Sequence, residues 1–239
     1  MIALGSIVPH LGWTVPLAAR EGAGIIAAVP SRKRVPPGHS SYDRAKRALD
    51  IVVAAAGLVL LSPVIAALAL AIKASDPHAP VFFRQRRCGQ GNGCFQLVKF
   101  RTMVPDADAH KEELRANSTA SWPDFRLVDD PRVTRIGRTL RRTSLDELPQ
   151  LVNVLRGDMT LVGPRPTSFA AETYVLWETE RLDFRPGITG PWQVWGRQSM
   201  DFDERCRLEI AFFRRRSMGA ELRVMAATVP ALLRRTGVA

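Results

Sequence analysis

The pattern of apolar and polar positions divides the chain into a few clear stretches. Residues 1–40 hold short apolar patches that Pro and Gly repeatedly interrupt, and then the basic run Arg32-Lys33-Arg34. They lack a basic start, an apolar core and a small-residue cleavage site in the order of a signal peptide, so they read as a weakly ordered extension. The extension is set at 1–43, and VPPGHSS at 35–41 has linker composition. The longest apolar stretch follows, uncharged from Ile51 to Ile72. As one straight helix it would be roughly 33 Å long, enough for a bilayer core of about 30 Å. Ser62-Pro63 falls at its middle, where proline bends a helix and the serine hydroxyl can satisfy a freed carbonyl. Arg44, Lys46 and Arg47 precede it and Lys73 follows, and a spanning helix cannot keep both basic flanks on one side. The expectation is a re-entrant membrane helix over 44–74 that breaks at Ser62 and Pro63 and returns to the face it entered. A buried core helix and an ordinary spanning helix are the alternatives.

Beyond this stretch the period changes. VFFRQRRC and CFQLVKFRTM flank Gly89-Gln90-Gly91-Asn92-Gly93, which reads as a β-hairpin; the glycines form a plain turn in preference to a phosphate loop. Lys99 and Arg101 share one face if the second run is extended. The acidic PDADAHKEELRAN predicts a helix, and so do the apolar positions of FAAETYVLWETERLDF. RPGITGPWQVWGR at 185–197 reads as a shaped loop. Its Trp192, Trp195 and Arg197 suit a nucleobase, a sugar or the membrane interface, and core packing of a Trp is the plain alternative. Two further helices, broken near Ser217-Gly219, combine apolar faces with arginine clusters in the manner of helices lying among headgroups.

Charge narrows the partners. A formal net charge of +11 calls for anions: nucleic acid, lipid headgroups or phosphorylated substrates. Three cysteines without a CxxC pair favour a reducing compartment, and scattered histidines disfavour zinc. Any metal is then hard and oxygen-liganded, such as magnesium.

Candidate chemistry concentrates between Arg141 and Pro166. Asp146 and Glu147 stand behind Arg138, Arg141 and Arg142 and ahead of Pro164-Arg165-Pro166. A carboxylate can attack phosphorus if cations offset the repulsion between anions, and arginine grips phosphate oxygens bidentately. The segments LDELPQL at 145–151, GDM at 157–159 and LVGPRP at 161–166 resemble the signature of the bacterial sugar transferases, the monotopic polyprenyl-phosphate phosphoglycosyl transferases. The resemblance extends over about 44–235 and includes FRQxR at 83–87, KFRTM at 99–103, DPRVT at 130–134 and RPGITG at 185–190, in the family's order.

The resemblance implies an enzyme that moves a sugar 1-phosphate from a UDP-sugar to polyprenyl (undecaprenyl) phosphate and releases UMP, starting exopolysaccharide or other glycan assembly. Asp146 would be the nucleophile, forming an aspartyl-phosphosugar intermediate, with Glu147 as its partner. Arg141 and Arg165 would bind phosphate, with Lys99 and Arg197 as further candidates. Asp146, Glu147 and Asp158 would hold Mg²⁺. The implied fold is α+β and mostly helical: a re-entrant membrane hairpin, a small β-hairpin and amphipathic interfacial helices around a catalytic core at 75–239. The implied place is the bacterial inner membrane, with the core facing the cytoplasm, in contact with membrane lipids and not nucleic acid. The family likeness also allows a homodimer. A non-catalytic membrane scaffold is the alternative function.

Overall fold

In the computed structural model, residues 41–119, 125, 127–168, 173–196 and 200–234 are described. The extension before residue 41 and Arg197 lie outside them. The architecture is mostly helical, with two small sheets. Helices α1 (Ser41–Leu60) and α2 (Ser62–Ser75) are bent by 61° at their junction. No single helix among the described residues is long and apolar enough to cross a membrane. The bend has the expected cause. Pro63 cannot donate to the carbonyl of Val59, and the Ser62 hydroxyl donates to it instead at 2.7 Å.

The α1–α2 pair is two-sided. On one face Ala54 joins the main core with Leu97, Val154, Met159, Val162 and Phe212. Ile72 packs with Phe100 and Leu140. Asp50, also buried, accepts from the Thr160 hydroxyl at 2.6 Å and the Leu161 N–H at 3.1 Å, which ties α1 to strand β3 (Thr160–Val162). The other faces leave Val52, Val59, Leu60 and Leu70 exposed, with Leu60 at 76%. An aliphatic surface of this size seeks cover.

Strands β1 (Phe82–Cys88) and β2 (Cys94–Phe100) form the expected antiparallel hairpin, with Phe82 opposite Phe100 and Cys88 opposite Cys94. The segment after β2 departs from expectation. Residues 105–114 make successive turns with bonds such as Ala109 N–H to Asp106 and Lys111 N–H to Asp108, and only Arg115–Asn117 closes a short 3₁₀ turn. The run has no continuous apolar stripe to bury, and packing of such a stripe supplies most helix stability.

Helix α3 (Arg135–Thr143) begins on Thr134, whose hydroxyl accepts from the Gly137 N–H at 3.0 Å. Gly137 is a close approach: a Cβ there would stand 2.0 Å from the carbonyl oxygen of Thr102. Helix α4 (Gln150–Arg156) leads to β3, which pairs in parallel with β4 (Gly187–Thr189), a sheet that local patterning did not reveal. Gly163 and Gly187 let these chains meet, since a Cβ on Gly187 would lie 2.0 Å from the Gly163 nitrogen.

The segment 173–184 is also not the amphipathic helix expected. It turns and ends in a 3₁₀ stretch, Glu178–Asp183. Buried polar side chains override the helical period there: the Glu178 carboxylate accepts from the Val175 N–H at 2.8 Å, and Arg181 donates to the Tyr174 hydroxyl at 2.9 Å. Residues 187–195 are more regular than the loop expected, because Pro191 opens a short helix α5 (Pro191–Trp195) directly after β4.

Helix α6 (Phe202–Arg214) starts with a capping box of Asp201 and Glu204. Its apolar face, with Phe202, Cys206, Ile210 and Phe212, is spent inside the protein and not on headgroups. Trp195 packs near Phe212, and the Arg205 guanidinium covers Trp192 at 4.6 Å, so both tryptophans serve packing. Helix α7 (Met218–Arg234) is different: it buries Glu221 and Val224 but leaves Leu222 and Val229 exposed.

Two outcomes follow from this packing. Gly137→Ala forces α3 off Thr102 and lowers stability by about 1–3 kcal/mol, seen as a reduced thermal midpoint. The second concerns Glu178, which burial and the neighbouring Asp203 carboxyl push up to about 7. A carboxyl whose folded value exceeds its unfolded one stabilises at low pH, and this contribution is lost as pH rises through about 7. Glu178→Gln therefore raises the thermal midpoint at pH near 8 and flattens its fall between about pH 5 and 8.

Candidate active site

The end of α3 delivers the adjacent carboxylates to a cavity. Ser144 takes a left-handed conformation (φ 55°) that stops the helix and turns the chain into a 3₁₀ turn, Leu145–Glu147. Leu145 and Leu148, on either side of the acids, pack toward Phe100 and Leu140. That anchoring leaves Asp146 and Glu147 to line a cavity of about 520 Å³. Strand β2 contributes Lys99, β1 contributes Arg87, α3 contributes Arg141, and the loop after β3 contributes Arg165.

The two acids are not equivalent. Glu147 is neutralised: its Oε1 accepts from Arg165 Nη2 at 2.9 Å and from Lys99 Nζ at 3.4 Å. Burial pushes its pKa upward, but Arg165 and Lys99 outweigh burial and hold it down at about 2. Asp146, only 7% exposed, accepts no hydrogen bond from a described residue; its nearest cation is Lys99, 3.9 Å from Oδ2. Burial raises its pKa above the ordinary aspartate value, with Glu147 adding to the rise and Lys99 opposing it. Glu147 is thus held by hydrogen bonds to two cations, whereas Asp146 has only a longer ion pair with Lys99 and no hydrogen-bond donor among the described residues.

Arg165 is fixed more firmly than two flanking prolines would require. Its N–H donates to Glu209 Oε1 at 2.9 Å, and its carbonyl accepts from Arg181 Nη2 at 2.7 Å. Arg181 and Glu209 form a buried ion pair, with Nε 3.0 Å and Nη2 2.5 Å from Oε2. Neither residue figures among the sequence candidates, because each looks like an ordinary helical charge; only their distance in sequence from a shared partner hides the link. Arg87, within the FRQxR run, was also unassigned. Its Nη1 donates to the Pro166 carbonyl at 3.4 Å, its Nε has no partner, and burial and Arg165 lower it to about 10.

Other candidates sort themselves by place. Arg141 lines the cavity and is oriented by a 2.9 Å bond from its Nε to the Thr102 hydroxyl. Arg138 and Arg142, on the same helix, are exposed and face elsewhere. Arg101 shares the Lys99 face as expected and pairs with Asp76 at 2.9 Å. Asp158 is not brought to the dyad. It accepts from Asn153 Nδ2 at 3.1 Å and lines no part of the cavity, because the α4 turn points it toward the β2–α4 junction. Arg197 lies outside the described residues. No group of three or more His, Cys, Asp or Glu suited to a metal occurs among the described residues.

The bacterial sugar transferase family profile matches residues 41–235. The chain is 40% identical over 195 residues to the galactosyl transferase CpsE of Streptococcus agalactiae, covering 81% of this chain and 43% of that protein. It is 37% identical over 199 residues to the exopolysaccharide production protein ExoY of Sinorhizobium fredii, covering 78% and 84%. It is 42% identical over 204 residues to the UDP-glucose:undecaprenyl-phosphate glucose-1-phosphate transferase of Caulobacter vibrioides, covering 81% and 71%. The chain thus spans less than half of CpsE but most of ExoY. With the LDELPQL and LVGPRP segments meeting at one charged cavity and the profile running from α1 to α7, this chain is an enzyme of the bacterial sugar transferase family.

Proposed function

We propose that the chain transfers a sugar 1-phosphate from a UDP-sugar to undecaprenyl phosphate, releasing UMP, through an aspartyl-phosphosugar intermediate on Asp146. The observation that carries this reading is the unequal pair: an uncommitted Asp146 beside a Glu147 that Arg165 and Lys99 neutralise. The relatives' names supply the reaction class, including the undecaprenyl-phosphate galactose phosphotransferase of Salmonella typhimurium.

The charge balance suits the donor. Lys99, Arg87, Arg141 and Arg165 face two carboxylates, Lys111 and Asp108 on the same wall offset each other in charge, and Arg101 and Arg132 are paired with Asp76 and Asp130. Two positive charges remain over, which match a diphosphate diester with one charge per phosphate. In the first half-reaction an Asp146 oxygen attacks the phosphorus that bears the sugar. The bond to the bridging oxygen breaks, and UMP leaves with the electron pair. Arg165 and Arg141 bind the equatorial oxygens as negative charge shifts. In the second, a phosphate oxygen of the lipid attacks the same phosphorus, the aspartyl bond breaks, and the free carboxylate returns. Burial of Asp146 raises the basicity of its carboxylate, and the neutralised Glu147 keeps a second bare anion away from the incoming phosphate.

The donor set fits a hard cation that takes one or two carboxylates and completes its shell with water and substrate oxygens. Asp146 and Glu147 would hold Mg²⁺ in this way, and the ion would offset diphosphate charge. Asp158 has no part in this arrangement.

The bent α1–α2 pair supports a re-entrant insertion, with 44–74 as the membrane segment, 75–239 as the catalytic region facing the cytoplasm, and 1–43 as an extension. Its basic ends then lie on one side, and its exposed aliphatic residues are covered by lipid. Such a placement brings a water-soluble nucleotide sugar and a lipid-borne acceptor to one cavity at the bacterial inner membrane.

The test is UMP release by detergent-purified protein with polyprenyl phosphate, Mg²⁺ and a panel of UDP-sugars. Wild type responds to at least one sugar, and Asp146→Asn lowers release by roughly a thousandfold or more while the fold persists. Undiminished release from Asp146→Asn would remove the covalent scheme, and a folded wild type inactive with every sugar would favour a scaffold. A second outcome concerns the arginine clamp. Glu209→Gln strands the Arg181 charge and costs about 3–5 kcal/mol of stability. The apolar pair Arg181→Met with Glu209→Leu regains most of that stability yet leaves UMP release depressed, because the Arg165 N–H and carbonyl then lose both of their side-chain partners.

A further inference from the structure

A second cavity, of about 610 Å³, shares no lining residue with the dyad cavity. Arg44, Lys46 and Arg47 of α1 line it together with Arg185, before β4, and Arg216, after α6. Its carboxylates are already engaged. Glu221 lies 2.6 Å from Lys46 Nζ and accepts from the Tyr42 hydroxyl, Asp50 holds Thr160 and Leu161, and Asp43 pairs with Arg216 at 3.1 Å. Arg47 spends its guanidinium on the carbonyls of Val154 and Leu155, at 2.6 and 2.8 Å, and its charge stays uncompensated. The Arg44 and Arg185 side chains make no ion pair or hydrogen bond with any described residue. Arg185 is half-buried, and burial and the adjacent Arg47 both lower its pKa, so an anion there would relieve it.

The cavity's wall also indicates which anion. Ile51 lines the cavity and is the first of the exposed aliphatic residues of α1, followed by Val52, Val59 and Leu60. Val52 and Val59, seven residues apart, share one face of α1, and the exposed aliphatic residues from Ile51 to Leu60 extend about 14 Å along its axis at about 1.5 Å per residue. That is close to half of a bilayer core of about 30 Å. A phosphate with an acyl chain attached fits both parts.

We infer that this cavity binds the phosphate headgroup of an anionic phospholipid between Arg44 and Arg185, with an acyl chain laid against the exposed face of α1 that carries Val52 and Val59. The inference rests on the insertion of the α1–α2 pair proposed above. It gives the enzyme a lipid contact separate from the acceptor's own phosphate site, one that sets the depth of the hairpin at its basic end.

The experiment compares flotation of the full chain, after detergent removal, with phosphatidylcholine vesicles and with vesicles that also contain phosphatidylglycerol. Three proteins are used: wild type, Arg44→Gln/Arg185→Gln, and Arg138→Gln/Arg142→Gln as a charge-matched control on exposed α3 positions. UMP release in detergent, unchanged in both variants, verifies folding. The expected result is that phosphatidylglycerol strengthens wild-type and control binding, and that the cavity variant loses about tenfold or more of that gain. Equal losses in the two variants would reduce the effect to diffuse charge and overturn the site. In lipid-free detergent, inorganic phosphate is expected to leave the thermal midpoints of wild type and cavity variant alike. A phosphate-induced rise present only in wild type, with flotation unchanged between them, would replace the lipid with a free anion. If wild type floats with neither vesicle, the membrane insertion itself fails, an outcome distinct from loss of the site alone.

Discussion

The buried Arg181–Glu209 pair is the interaction on which the arrangement of the dyad cavity depends. It lies between the 3₁₀ stretch 178–183 and α6, and it reaches the backbone of Arg165 from both sides. A buried ion pair is a poor source of stability, because desolvation consumes most of the Coulombic gain. Its value here is positional. The Arg165 side chain is oriented by a clamp that belongs to the core, and through Arg165 the clamp decides which of the two adjacent acids is neutralised. Tyr174 and Thr167 continue the same network, with the Thr167 and Tyr174 hydroxyls 2.5 Å apart.

A second constraint is the two-sidedness of the α1–α2 pair. One face is committed to the protein through Ala54, Ile72 and the buried Asp50, so the pair is no detachable anchor. The remaining faces are aliphatic and exposed. The same helices therefore carry both part of the protein core and an exposed aliphatic surface, and the bend at Pro63 sets the angle between α1 and α2. Ile72 and Phe100 pack with Leu140, and Phe100 itself and Arg141, next to Leu140, line the dyad cavity.

Close backbone approaches complete the frame. Gly137 lets α3 press on Thr102, whose hydroxyl orients Arg141, and Gly163 with Gly187 lets β3 and β4 pair where the chain leaves toward Arg165. Glycines inside GPRP and RPGITG are therefore part of how the charged side chains are aimed.

Much of this was present in the chain itself. Period and punctuation determined the β-hairpin around the glycine loop, the bend at Ser62-Pro63, the two C-terminal helices and the adjacency of Asp146 and Glu147, because each rests on neighbours in sequence. Tertiary structure alone decided the rest. The helix expected at 105–114 gave way to turns for want of a stripe to bury, and the one expected at 169–184 gave way, over its described part, to turns and a 3₁₀ stretch around side chains whose partners are remote. Asp158 is adjacent to the motif in sequence but absent from the cavity, whereas Arg87 is remote in sequence and present. Charge identity is written in the sequence. Which charges share a cavity, and so which carboxylate is hydrogen-bonded to cations and which is not, depends on burial and on contacts between residues far apart in the chain, and only the folded arrangement supplies these.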